Sequence, residues 1–134
     1  MSDWSRRSAP TLDDFATLAR QAFDRLPGGF RRLCGDVEIR ILDFADEETL
    51  ASLGMDDPFE LTGLYEGVDL SRRTVFDPTP EASRVFLYRR PILEEWAENG
   101  EVALGELIEH VLVHEIGHHF GLSDDDIDRV EESA

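Results

Sequence analysis

Residues 101–128 read EVALGELIEHVLVHEIGHHFGLSDDDID, and the spacing inside this stretch decides both the fold around it and the chemistry it can support. Leu104, Leu107, Val111, His114 and His118 fall at steps of three and four, one stripe along a helix that begins apolar and ends in imidazoles. Gly121 is placed to stop that helix. Ser123 is placed to cap a short last one with Asp124, Asp125 and Asp126 in its first turn. His114, Glu115 and His118 form H-E-x-x-H. Histidines four apart on a helix differ by roughly 40° in direction and about 6 Å in height, so two imidazoles can converge on one ion at a zinc–nitrogen distance of about 2.0–2.1 Å. The glutamate between them projects at a neighbouring angle, toward a water on the ion and not the ion itself, which is the arrangement of metal-assisted hydrolysis.

A catalytic zinc needs a third protein ligand. A helix that stops abruptly at Gly121 lets the chain double back and present Asp124, completing His114-Glu115-x-x-His118-x-x-Gly121-x-x-Asp124. Acidic residues are also ordinary at a helix N-terminus, so Asp125, Asp126 and Asp128 stay open as alternatives. His110 and His118 are about 12 Å apart along the axis, too far to share an ion, and His119 points about 140° away from His114. Neither is assigned a metal. Two imidazoles and a carboxylate suit Zn2+, and the same set can hold Fe(II).

Upstream, residues 11 to 26 place Phe15, Leu18, Ala19, Ala22, Phe23 and Leu26 on one helical face, with Thr11 as cap, and LPGGF then ends the helix and turns the chain. VEIRILDF (37–44) alternates, with Val37, Ile39 and Ile41 toward a core; residues 46–53 read as a short helix. A β-prone piece runs from Leu61 to Val68, weakened by its glycines, and DPTP (77–80) reads as a turn. RVFLYRR is apolar on both faces, an inner strand, and Pro91 opens a short helix with Ile92, Leu93 and Trp96.

At 134 residues and 41% hydrophobic, a single domain over 1–134 is expected to build a modest core without crosslinks. The lone Cys34 has no second thiol for a disulfide or a Cys-based metal motif and is expected to act as a small buried hydrophobe. No apolar run has the length of a signal peptide or a bilayer span, so the expected location is the cytoplasm. A formal charge of −17 repels phosphate backbones and anionic lipid, which speaks against nucleic acid and membranes as partners.

The stretch VLVHEIGHHFGLSDDDID, supported by LTGLYEGVDLSRR and RVFLYRRPILEEWA in the same order, resembles the small bacterial minimal-zincin family, a zincin-like metallopeptidase domain. The resemblance covers about 60 to 130 closely. It implies a compact α+β fold, a small mixed sheet packed against helices over the metal-binding helix. It also implies zinc ligation at His114, His118 and Asp124 and a general-base role for Glu115. The extended motif is similar to that of the metzincins, whose methionine turn follows the third ligand; here Met1 and Met55 both precede the site.

These readings lead to a zinc-dependent peptidase or related amide hydrolase acting on a peptide or protein, with Tyr65, Tyr88 and Arg89 as candidate donors to a developing oxyanion. A rival reading is a noncatalytic interaction module that keeps the fold and the ion. A second rival, a metal-dependent nuclease, is disfavoured by the acidic balance. Oligomeric state is not legible in the sequence.

Overall fold

In chain order the elements are α1 (Leu12–Arg25), α2 (Gly28–Cys34), β1 (Val37–Leu42), α3 (Glu47–Ser52), a 3-10 turn (Pro58–Glu60), β2 (Gly63–Glu66), β3 (Ser83–Tyr88), α4 (Arg89–Asn99), α5 (Leu104–His119) and α6 (Asp124–Ser133). This computed structural model describes residues 9–34, 37–66 and 83–133, apart from the side chains of residues 33, 34, 124 and 133. The burial expected of Cys34, the β-prone residues beyond Glu66 and the DPTP turn therefore lie outside the described residues.

Helix α5 is the axis of the molecule. It is packed by α1, α4 and α6 and by strands β2 and β3. The stripe Leu104, Leu107 and Val111 is buried as the spacing requires, and so are Ile108, Leu112, Val113 and Ile116 on other faces. A helix that is apolar nearly all round is one with neighbours on every side.

The sheet orders its strands β1-β3-β2. β3 pairs in parallel with β1, Val37 opposite Ser83, and antiparallel with β2, Gly63 opposite Leu87. β3 is therefore the inner strand, which explains why RVFLYRR carries apolar residues on both faces: Val85 and Leu87 are sealed in the main core, and Phe86 and Tyr88 pack in a second cluster with Ala45, Leu50 and Leu61. The result is a mixed α+β fold, as the resemblance implied.

Local signals set the element ends. Thr11 and Asp14 form a reciprocal capping box at α1, and Asp46 accepts from the Thr49 N–H at the start of α3. LPGGF differs from its sequence reading. The chain turns at Leu26–Pro27, but Gly28 then opens a second helix, α2, that buries Phe30 in the core. Two adjacent glycines disfavour a helix by intrinsic propensity, and a tertiary contact overrides that preference. No described helix is long and apolar enough to cross a membrane.

Candidate metal centre

The site begins with the turn that ends α5. Gly121 has φ +74°, the left-handed region that L side chains avoid. Its N–H donates to His118 O at 3.1 Å, and the Leu122 N–H donates to Gly117 O at 2.9 Å, the paired bonds of a Schellman motif. Two residues later Ser123 caps α6: its hydroxyl accepts from the Asp126 N–H at 3.1 Å, while Asp126 Oδ2 accepts from the Ser123 N–H at 3.3 Å. The sequence predicted both punctuation marks.

Gly117, inside H-E-x-x-H, is where α6 docks. A methyl group there would stand 2.7 Å from Ile127 Cγ1 and 2.9 Å from its Cδ1, and Ile127 is fully buried. Gly63 does the same for the sheet. A methyl on it would lie 2.9 Å from Val111 Cγ1, 3.1 Å from Glu115 Cγ and 3.2 Å from the Phe86 carbonyl oxygen. Strand β2 thus runs directly against the turn of α5 that carries Glu115.

On that turn His114 is partly buried and His118 exposed, with ring centroids 5.5 Å apart and planes at 89°. Two imidazoles on one tetrahedral ion have centroids roughly 5 Å apart when each metal–nitrogen bond is about 2.0–2.1 Å, so the pair has the separation a shared ion requires. Glu115 lies between them in sequence and is largely withdrawn from water. Burial pushes its carboxyl above the ordinary carboxylate range, and the neighbouring His118 partly offsets the rise.

The expected third ligand, Asp124, is the first residue of α6, immediately beyond the Gly121 turn; its side chain lies outside the described residues. Among the alternatives, Asp126 is engaged by Ser123 and faces Arg129 Nη1 at 3.8 Å, while Asp125 and Asp128 are exposed.

The candidate oxyanion donors separate. Arg89 is committed elsewhere, donating to Asp43 Oδ1 at 2.7 Å and to the Pro10 carbonyl at 2.8 Å. Tyr88 is buried, and its phenol is pushed up to about 12, chiefly by burial and then by Glu66, Asp46 and Glu115. Tyr65 packs its ring on His119, centroids 4.0 Å apart, and on Phe120 at 5.9 Å, at the C-terminal end of α5.

Sequence reasoning missed one grouping. His110, which it left without a metal because of its distance from His118, stands beside His114 instead, ring centroids 4.0 Å apart, and both face Glu131 from α6. The step of four from His110 to His114 was readable. The approach of Glu131 was not, because it depends on how α6 lies against α5.

A family model described as zincin-like metallopeptidase matches residues 34–134. No curated protein matches the chain.

Proposed function

The chain belongs to the zincin-like metallopeptidase family, and from that premise we propose that it is a zinc-dependent peptidase in which His114, His118 and Asp124 hold the ion and Glu115 moves the proton. The observation that carries this reading is the spacing of the His114 and His118 rings across adjacent helical turns, with a half-buried carboxylate between them. Zinc, when bound, supplies a Lewis acid that acidifies a neighbouring water and polarises a carbonyl.

The remaining steps belong to the protein. Glu115, kept away from bulk water, accepts a proton from the attacking water and returns it to the leaving amine. A carboxyl whose affinity for protons is raised by burial is better suited to accept one near neutrality than an exposed carboxyl. Strand β2 is an edge in the described sheet and lies against Glu115 through Gly63, so an extended peptide pairing with its backbone would pass beside the base. Tyr65 is the oxyanion donor we favour, because it alone of the three candidates has its ring against the end of α5. The substrate is a peptide or protein met in the cytoplasm.

The test is cleavage of a peptide library by zinc-loaded wild type and Glu115→Gln, with zinc content measured in both. The variant should lose about a hundredfold or more in kcat at unchanged zinc occupancy. Equal cleavage by both proteins would remove Glu115 from the mechanism, and no cleavage by either at full occupancy would favour the noncatalytic module.

A further inference from the structure

Helix α6 runs back along α5. Ile127 sits on Gly117, and one turn further along α6 Glu131 meets His114 and His110, which lie earlier in α5; the two helices are therefore antiparallel at this contact. Glu131 Oε1 is 2.8 Å from His110 Nδ1 and 3.6 Å from His114 Nε2. It is buried and makes no aligned hydrogen bond with the described residues. One ligand atom from each of the three residues lies within 4.8 Å of the other two.

A simple carboxylate–imidazole bond would align the oxygen with one N–H, since that alignment is where its strength lies. Here the oxygen is shared between two ring nitrogens without that alignment on either. Desolvating a carboxylate without a good partner is costly, and a divalent cation seated among the three donors removes the cost. We propose that His110, His114 and Glu131 form a second divalent-cation position, alternative to the one on His114 and His118. Two imidazoles and a carboxylate select Zn2+ or a similar first-row ion.

His114 belongs to both positions, and a neutral imidazole has one lone pair to give. Occupying one position therefore vacates the other. An ion at the second position takes His114 out of the H-E-x-x-H pair and ties α6 to α5. That competition rests on the function proposed above, whereas the second position itself does not.

His110 and His118 are both exposed, so their replacement leaves the core alone. Zinc binding is measured by competition with a chromophoric chelator, and thermal unfolding is followed with and without zinc. His118→Ala should still bind one zinc, with a rise in Tm, and adding His110→Ala or Glu131→Gln to it should weaken binding tenfold or more. The proposal is overturned if folded His118→Ala binds no zinc, or if either added substitution leaves its affinity unchanged. His110→Ala alone separates the two readings. Zinc binding by His110→Ala but not His118→Ala sinks the second position and leaves the peptidase reading standing. The opposite pattern sinks the peptidase site and supports the second position.

Discussion

At the scale of single residues, two glycines set distances that the rest of the site inherits. Gly117 lets Ile127 touch α5, and Gly63 lets β2 touch the turn bearing Glu115. Gly117→Ala should destabilise the protein by about 1–3 kcal/mol, because the methyl collides with a side chain that is itself sealed on all sides. Denaturant titration measures this, and an unchanged midpoint would mean that α6 is seated elsewhere. Gly63→Ala meets a backbone carbonyl as well as side chains, so it should cost at least as much. H-E-x-x-H was legible because its residues are four apart on one helix and chemistry constrains their identity. The roles of Gly63 and Gly117 were not, since a glycine's value there comes from a neighbour that arrives from a distant part of the chain.

At the scale of elements, α6 is the clearest case. Its start was readable from Gly121 and Ser123, both of which act through bonds to near neighbours. Its seat was not, because the angle at which one helix leaves another depends on packing that spacing alone does not encode. For the same reason α2 was missed: Phe30, docked into the core, holds a helix that GGF would not form alone. Ile127 is the main anchor of α6. Ile127→Ala should cost about 2–5 kcal/mol, and hydrogen exchange should show α6 losing protection before α5 does. Simultaneous loss in both helices would show that α6 is not a separable unit.

At the scale of the molecule, acidity reaches into the interior. The net charge is −17, and Glu66, Asp46 and Glu115, from three different elements, all act on the Tyr88 phenol after burial has raised it. Its ionisation is pushed from 10.0 up to about 12. Because the folded state favours the neutral phenol, the stability it contributes is fully present below pH 10 and is lost as pH climbs toward 12. Alkaline unfolding should therefore be shallower in Tyr88→Phe than in wild type between those limits. Ionisation of Tyr88 near pH 10 in the folded protein, seen by ultraviolet titration, would contradict this.

The placement of the histidines on α5 also bears on how the protein meets its ion. That helix is gripped on several flanks by apolar neighbours, so its backbone has its shape before any cation arrives. Small zinc domains that fold only around their metal spend binding energy on ordering the chain. Here loading resembles filling a socket already cut, and an empty molecule can wait in metal-poor surroundings without surrendering its architecture.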